Sequence, residues 1–261
     1  MDATLWIAKT GLDAQQTRMS VISNNLANVN TMGFKRDRAV FEDLLYQNVR
    51  QAGAVTAANA EAPTGLMLGT GTRIVATEKL HTQGNMVSTE NALDVAIDGA
   101  GYFQVLRPDN TIGYTRDGSF KLSKDGQLVT ANGYRLQPEI TIPTDAQTIT
   151  IGADGTVSVQ RFGTATPSTL GNIQVATFVN PAGLQAAGEN MYLENGASGA
   201  PQLMTPTQAG AGKLVQGTLE ASNVNVVEEM VNMIETQRAY EVNSKAISAA
   251  DQMLKFVNQN L

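Results

Sequence analysis

The sequence predicts an α+β protein in which long N- and C-terminal helices form a coiled-coil-like helical domain, with an inserted, mainly antiparallel β-domain. Two observations carry this prediction: apolar residues recur every seven positions near both ends of the 261-residue chain, and short β-prone runs separated by turns fill the middle. A seven-residue apolar repeat keeps one seam on one side of a slowly supercoiling helix. Short runs between Gly- or Asn-containing turns are typical of antiparallel strands.

The two helices have recognisable ends. The first is expected from about Ala3 to about Asn28, where Asn, Thr and Gly residues supply stop signals. The second is expected to begin between residues 223 and 226, capped by Asn223 or Asn225, and to run to about Asn258. The candidate interface residues are Leu5, Leu12, Met19, Ile22, Leu26 and Val29 on the first, and Val226, Met230, Met233, Tyr240, Ile247 and Leu254 on the second.

Two features favour contacts between subunits for these helices. The apolar stripes are thin and their flanking residues are small or polar, so each helix gains little alone but packs closely with several neighbours. Asn and Gln are common beside the stripes, and buried amides fix the register between helices at some cost in stability. A stripe that belongs to an intramolecular core is the alternative.

The residues between the helices divide into two segments. Residues 37–72 are expected to form an extended segment that contacts other subunits, because 47–72 is rich in Ala, Gly, Thr and Asn and shows no clear period. Residues 73–221 are expected to form a β-rich outer domain, with hairpins at Asn132-Gly133 and at the turn 153–155. Residues 1–36 and 222–261 then supply the two helices of the inner domain.

Composition and motifs give little support for an enzyme. The chain has one histidine, His81, and no cysteine, which excludes zinc–sulfur sites, thiolate nucleophiles and His clusters. No nucleophile motif accompanies His81, so a polar loop histidine is the expected role, and no catalytic residue, cofactor or metal site is predicted. A net charge of −6 argues against general binding to nucleic acid.

The N-terminus does not have the pattern of a secretory signal. It lacks a basic region followed by a continuous apolar core, so export without a cleaved signal peptide is expected if the protein leaves the cytoplasm. No stretch approaches the roughly 20 apolar residues of a membrane helix, so direct membrane insertion is not expected.

Three motifs, in order along the chain, resemble the axial-protein family of the bacterial flagellum, which includes rod and hook subunits. The first spans residues 23–35, the second comprises 83–85, 91–98, 101–103 and 114–120, and the third comprises 219–230 and 237–241. The signature residues of the first motif are Asn24, Asn25, Leu26, Ala27, Asn28, Thr31, Gly33, Phe34 and Lys35. Three ordered motifs together are far more specific than any one alone.

The resemblance implies a structural homopolymer of the basal body. Family members pass unfolded through the flagellar type III export apparatus and assemble into a helical tube, with terminal helices inside and β-domains outside. The implied partners are proximal-rod subunits below, hook or hook-adjacent subunits above, and periplasmic and outer-membrane ring proteins around a rod that spans the periplasm. Such a rod transmits torque from motor to hook and forms part of the export channel.

Length and one segment favour the distal-rod type within this family. The segment from Tyr46 to Thr72 resembles an insertion that distinguishes the distal rod from the hook, and the resemblance implies that it straightens the rod. A hook or proximal-rod subunit is the nearest alternative. A secreted carbohydrate-active enzyme with an acidic pair in the β-domain is the alternative from a different class.

Overall fold

The chain divides into two units. The computed structural model describes residues 3–51, 55–57, 60–61, 64–163, 166–208 and 210–259. Unit 1 comprises Met1–Ala27, Asp37–Lys79 and Asn225–Leu261, and unit 2 comprises Asn28–Arg36 and Leu80–Val224, so the chain passes between the units at four points. Helices near both ends and strands between them confirm the prediction of an α+β protein.

The described part of unit 1 contains two helices and several short strands. The helices are α1 (Ala3–Ala27) and α2 (Val226–Gln259). The strands are β1 (Asp37–Asp43), β2 (Gln47–Arg50), β3 (Val55–Ala57), β4 (Ala60–Glu61), β5 (Leu66–Leu68) and β6 (Thr72–Lys79). They pair in antiparallel fashion as β1–β6, β2–β5 and β3–β4.

The start of α2 is set by one of the two expected caps. The side-chain oxygen of Asn225 accepts hydrogen bonds from the N–H groups of Val227 at 3.1 Å and Glu228 at 3.4 Å. Two glutamates also stand in the first turn, where the helix dipole favours negative charge. Asn225 is therefore the cap, and Asn223 has the different role described below.

The β1–β6 pair, which the sequence interpretation missed, carries complementary charges. Opposite charges face each other across the two strands, as such pairs favour. The ion pairs are Arg38–Glu78, Arg73–Glu42 and Lys79–Asp37, with nitrogen–oxygen distances of 2.8, 2.8 and 2.9 Å. Strand β6 thus lies in unit 1, whereas the expected outer domain began at residue 73.

Unit 2 is built from strands that pair in antiparallel fashion. They are β7 (Met86–Ser88), β8 (Val95–Asp98), β9 (Phe103–Leu106), β10 (Ile112–Thr115), β11 (Lys121–Leu122), β12 (Leu128–Val129), β13 (Arg135–Gln137), β14 (Ala146–Ile151), β15 (Thr156–Arg161), β16 (Ser168–Asn172), β17 (Val175–Thr177), β18 (Gln185–Gly188), β19 (Met191–Leu193), β20 (Gln202–Met204), β21 (Lys213–Gln216) and β22 (Thr218–Glu220). One 3₁₀ turn, Pro181–Gly183, precedes β18. The main sheet has seven strands in the order β11-β12-β13-β9-β10-β19-β18, and β14-β15-β16 form a second sheet. Strands β8 and β21, β7 and β22, and β17 and β20 form pairs.

The two predicted hairpins of this region are confirmed. Asn132-Gly133 joins β12 to β13: Gly133 has φ of +85°, and its N–H donates to the Thr130 carbonyl at 2.9 Å. The turn at 153–155 joins β14 to β15, and Gly155 has φ of +86°. Glycine adopts this left-handed region without the cost that a side chain would add.

The apolar core lies mainly in unit 2. One cluster includes Val95, Phe103, Phe120, Leu136 and Val157, all at most 2% exposed. A second cluster comprises Tyr102, Tyr114, Ala176, Phe178, Leu184 and Tyr192. The buried apolar residues in the described part of unit 1 are Ala8, Ala14, Ile22 and Ala250. Because burial of a large apolar side chain stabilises by about 1.5–3 kcal/mol, unit 2 has far more of its own stabilisation than unit 1.

Candidate assembly surfaces

The contact between α1 and α2 is made by small and polar residues. Glu229, Thr236 and Ala250 are 3%, 0% and 5% exposed, and with Asn243 they recur every seven positions along α2. Opposite them, a Cβ added to Gly11 of α1 would lie 3.0 Å from the side-chain nitrogen of Asn243. Such close approach through small side chains buries little apolar area. Among the larger apolar side chains described on the two helices, Ile22 alone is buried, and the others keep surface for further contacts.

The heptad residues lie beside this narrow seam. On α1, Ile22 is buried and the half-buried residues are Leu5, Leu12, Met19 and Leu26, while Val29 is half-buried within unit 2. On α2, Met233 and Ile247 are half-buried, whereas Val226, Met230, Tyr240 and Leu254 are exposed. The exposed members present apolar surface that the chain itself does not cover.

Other exposed apolar residues of the helices were missed by the sequence interpretation. They are Trp6, Ile7, Val227, Val231, Ile234, Val242, Met253 and Phe256. These positions fall outside the two heptad rows, so a search for one seam passes over them. The available signal was apolar residues on several faces, which in a helix indicates burial by partners. Contiguous exposed apolar surface marks interaction sites.

A second apolar surface lies on the β2–β5 hairpin and the residues before it. Leu45 is 91% exposed, and Tyr46, Val49 and Met67 are more than half exposed. This hairpin belongs to the segment from Tyr46 to Thr72, of which residues 52–54, 58–59 and 62–63 lie outside the described residues. An isolated two-stranded hairpin is marginally stable in water. Its apolar side chains therefore indicate a partner surface.

The first motif supplies a side chain that bonds the backbone in unit 1 and two side chains that bond each other in unit 2. Within unit 1, Asn25 Nδ2 donates to the Asp37 carbonyl at 2.9 Å, and the Asp37 N–H donates to Asn25 Oδ1 at 2.8 Å. Within unit 2, the Thr31 hydroxyl donates to Asn28 Oδ1 at 3.1 Å. Of the remaining motif residues, Asn24 and Ala27 are exposed, and Leu26 and Phe34 are half-buried.

Position 33 of this motif requires glycine. Its φ is +70°, and a Cβ at this position would lie 2.7 Å from the carbonyl carbon of Arg116. The neighbouring atoms are backbone, so they cannot move aside as a flexible side chain could. Glycine is needed here both for its conformation and for its lack of a side chain.

Lys35, Glu220 and Arg116 form a buried ionic network in unit 2. Lys35 Nζ lies 2.6 Å from Glu220 Oε1, and Arg116 Nε lies 2.9 Å from Glu220 Oε2. The Lys35 ammonium also donates to the Thr82 carbonyl at 2.7 Å, and the N–H of Gly84 donates to Glu220 Oε1 at 2.9 Å. The three charged side chains are at most 5% exposed. Every charge therefore has a partner, which a buried charge requires.

Burial shifts the protonation equilibrium of Lys35. Desolvation of the ammonium lowers its pKa below the usual value, and the charge and hydrogen bond of Glu220 oppose this shift. Glu220 is thus the group that favours a charged Lys35 in the interior. Loss of Glu220 would leave the ammonium with burial unopposed.

His81 lies in the irregular segment between β6 and β7, as expected of a loop histidine, but its surroundings are aromatic. Its ring lies edge-on to Tyr102 and Tyr192, with centroid distances of 5.9 and 5.4 Å, and the Tyr102 hydroxyl lies 2.7 Å from Nδ1. Across the described ranges, no group of three or more His, Cys, Asp or Glu side chains is placed to hold a metal ion. Nor does any helix in those ranges combine the length and apolar character needed to cross a membrane.

Comparison with known proteins decides the family. Family models match three stretches: Flagella basal body rod protein at residues 5–35, Flagellar hook protein FlgE/F/G D1 domain at 96–159, and Flagellar basal body rod FlgEFG protein C-terminal at 215–260. The flagellar basal-body rod protein FlgG of Buchnera aphidicola subsp. Acyrthosiphon pisum is 56% identical over 99% of this chain and 100% of its own. The chain belongs to the flagellar basal-body rod protein family.

More distant members of the rod family also match almost end to end. FlgG of Borreliella burgdorferi is 47% identical over 99% of this chain and 98% of its own. FlgG of Bacillus subtilis is 38% identical over 97% of this chain and 96% of its own. The resemblance seen in the motifs is thus confirmed, and the chain is a structural subunit of the flagellar basal-body rod.

The buried network joins all three matched stretches of this rod protein. Lys35 comes from the first, Arg116 from the second and Glu220 from the third. The sequence interpretation named Lys35 as a motif residue but identified neither of its charged partners. No local pattern predicts an ion pair between residues so far apart in the chain.

Proposed function

We propose that this rod subunit is of the distal-rod type and polymerises into a rigid, straight tube. In this proposal α1 and α2 form a coiled-coil-like inner domain that lines the export channel, and the β-rich residues form the outer domain. The subunit has no enzymatic role. It is exported by the type III apparatus without a cleaved signal, and in the periplasm the tube transmits torque from motor to hook.

The observation that carries this proposal is the uncovered apolar surface of α2. Val227, Met230, Val231 and Ile234 are 48–71% exposed, whereas the contact of α2 with α1 uses polar and small residues. Neighbouring copies can cover this surface, as head-to-tail contacts that do not close generate an open helical filament. The candidate residues from Leu5 to Leu26 on α1, Val29 just after it, and those from Val226 to Leu254 on α2 are the proposed interface.

The same reasoning supports partners along and around the tube. Proximal-rod subunits below and hook or hook-adjacent subunits above would meet the helices of the terminal copies. Ring proteins of the periplasm and outer membrane would meet the β-rich outer surface. All of these contacts rest on family membership and the uncovered surfaces.

The segment from Tyr46 to Thr72 is the proposed straightening element. Its described part exposes apolar side chains such as Tyr46, Val49 and Met67, and Leu45 just before it is also exposed. Contacts of these side chains with neighbouring copies would add area to the interface between subunits. They would also prevent subunits from sliding past each other, which a tube must allow in order to bend. The hook alternative lacks this constraint, so tube curvature separates the two.

Seeded polymerisation followed by electron microscopy tests the proposal. Purified full-length protein and a variant lacking residues 222–261 are added separately to rods from basal bodies. Straight, helically ordered extension by the full chain alone is expected, because the variant lacks α2. Curved extension would favour a hook subunit, and no extension by the full chain would contradict a rod subunit.

A paired substitution tests the straightening segment. Leu45→Ser with Met67→Ser removes apolar contacts of the hairpin region and is expected to give curved tubes. Phe162→Ser is the matched control, since Phe162 is also apolar and 86% exposed but lies in unit 2. Straight tubes from the paired variant would rule out this role for the segment.

A further inference from the structure

Two segments of unit 2 that carry the chain to and from unit 1 lie side by side. The Gly33 N–H donates to the Glu220 carbonyl at 2.7 Å, and the Asn223 N–H donates to the Phe34 carbonyl at 3.4 Å. The Arg36 N–H donates to Asn223 Oδ1 at 2.7 Å. Arg36 is the last residue before one passage to unit 1, and Asn223 is next to the last residue before another.

A third segment is bonded to the same carboxamide. Residue Leu80 is the first of unit 2 after the chain returns from unit 1, and its N–H donates to the Arg36 carbonyl at 2.9 Å. Asn223 Nδ2 donates to the carbonyls of Leu80 at 2.8 Å and Thr82 at 3.1 Å. One side chain therefore joins the segments at three of the four passages.

The buried network attaches these segments to the main sheet of unit 2. Lys35 joins Glu220 and the Thr82 carbonyl, so it repeats the connections that Asn223 makes. Arg116 pairs with Glu220 and donates to the carbonyls of Gly99 at 2.9 Å and Gly101 at 2.8 Å. Both glycines lie in the segment that joins β8 to β9. The segments are thus anchored in the interior as well as to each other.

General stability does not explain why charges are buried here. Replacement of a buried ion pair by apolar residues of similar volume is often neutral or stabilising, so such a network is weak grounds for a stabilising role. Its position is more informative. A pull on unit 2 through the chain reaches it first at these segments, and bonds that join pulled segments directly share the load.

We propose that Asn223, Lys35, Glu220 and Arg116 form a mechanical clamp that prevents unit 2 from being peeled open by force applied through its chain connections. The clamp bears load in parallel: three main-chain segments and one buried carboxylate must separate before any strand of the sheet is extended. The source of such load, torque on a rod, rests on the proposed function. The existence of the clamp rests on the contacts within unit 2 and is independent of that function.

Force spectroscopy in two pulling geometries tests the clamp. The full-length chain is held in optical tweezers by handles at its two termini, and the rate of unit 2 unfolding is measured at constant force. The second geometry pulls the full-length chain through cysteines introduced as Lys121→Cys and Gln185→Cys, at exposed positions on the two edge strands of the main sheet. The natural sequence contains no cysteine that would interfere.

Asn223→Ala is expected to accelerate unfolding about tenfold in the end-to-end geometry and less than about twofold in the sheet-edge geometry, because its hydrogen bonds carry load only in the first. Ser198→Ala is the matched control. Ser198 is fully buried, and its hydroxyl donates to the Asn195 carbonyl at 2.9 Å, away from the clamp. It is expected to act equally in both geometries.

Equal acceleration by Asn223→Ala in the two geometries would overturn the clamp, since Asn223 would then be an ordinary stabilising residue. No acceleration end to end would overturn it as well. If Asn223→Ala does not fold, Asn223→Ser is judged by the same two criteria. The measurement uses single chains, so a failure to polymerise would contradict the proposed function and leave this result in place.

Discussion

At the scale of the residue, the free-energy cost of burying charge in unit 2 depends on whether all three charged partners are present. Glu220 is the single carboxylate between Lys35 and Arg116, and each pair is separated by less than 3 Å. Removal of one partner of a buried pair leaves the other charge without compensation, whereas exposed pairs contribute little. Glu220 is therefore the residue on which the network depends most.

Glu220→Gln is expected to reduce the free energy of unfolding by about 3–5 kcal/mol, because Lys35 and Arg116 lose their counter-charge. Urea unfolding followed by far-ultraviolet circular dichroism measures this. Glu139→Gln is the control, since its partner Arg135 is 52% exposed, and a loss of no more than about 1 kcal/mol is expected. Equal losses in the two variants would contradict the prediction.

Buried phenols make unit 2 sensitive to alkali. Burial raises the pKa of Tyr102, and burial together with the hydrogen bond to Glu194 raises the pKa of Tyr114. The unfolded chain would lose these protons near pH 10, while the folded chain retains them to higher pH. Their contribution to stability is thus complete below about pH 10 and is lost as pH rises further toward the raised folded-state values.

The double variant Tyr102→Phe with Tyr114→Phe is therefore expected to lose less stability between pH 9 and pH 11 than the parent, since phenylalanine does not ionise. The free energy of unfolding is measured for both proteins at each pH. Comparison of parent and variant isolates the phenols from the other groups that titrate in this range. An equal loss in both proteins would show that these two phenols make no net contribution.

At the scale of the element, one face of α2 is buried against its own chain, and several exposed apolar residues lie outside that face. Ile234 is 48% exposed, two residues before the fully buried Thr236. A charge at an exposed position costs little in the separate chain. The same charge costs several kcal/mol when a partner buries it without a counter-charge.

Ile234→Asp is consequently expected to abolish seeded extension while the chain keeps the circular dichroism spectrum of the parent. Ser248→Asp is the matched control, because Ser248 is an exposed polar residue of the same helix. That control should extend rods normally. Normal extension by Ile234→Asp would exclude this face of α2 from the interface.

Sequence patterns were sufficient for the elements whose signals are local. The heptads and the cap at Asn225 predicted both helices, and Asn-Gly predicted a hairpin. The β1–β6 pair and the hairpin of β2 with β5 were missed, because strand pairing depends on a partner and alternation is weak in runs that remain exposed. The ionic network was missed for the same reason, since Glu220 lies 185 positions from Lys35.

Several of the predicted interface residues remain uncovered in the separate chain. The structure shows that residues such as Met230 and Tyr240 are uncovered, which is what an interface requires. It also shows polar contacts between the two helices: Asn25 Nδ2 donates to Glu229 Oε2 at 3.4 Å, and Arg18 Nη2 donates to Asn232 Oδ1 at 3.4 Å. Heptad spacing identifies a face, but it does not say whether that face meets its own chain or a neighbour.

At the scale of the whole molecule, the two units differ in how much stabilisation their own buried apolar side chains supply. Unit 2 has two clusters of large buried side chains, whereas the buried apolar residues of the described part of unit 1 are three alanines and one isoleucine. Regions with few buried apolar contacts open at lower free energy than the rest of a protein. Unit 1 is therefore the unit that neighbours would stabilise.

Hydrogen exchange is expected to show this difference directly. In the separate chain, amides of α1 and α2 should exchange at least about a hundredfold faster than those of β9 and β10, in keeping with local opening at low free energy. In assembled rods, the helix amides should become protected while the strand amides change little. Helices that are already fully protected in the separate chain would mean that α1 and α2 stabilise each other without neighbours.

The polar contact between α1 and α2 has a consequence for where growth can begin. The buried apolar residues described on the two helices are Ala8, Ala14, Ile22 and Ala250, so the helices gain little free energy from each other. A few chains meeting in solution would therefore not offset the entropy cost of ordering them. An existing rod end offers several ordered neighbours at once. Spontaneous nucleation would then be rare even at concentrations that sustain elongation, and new tubes would form only on a template.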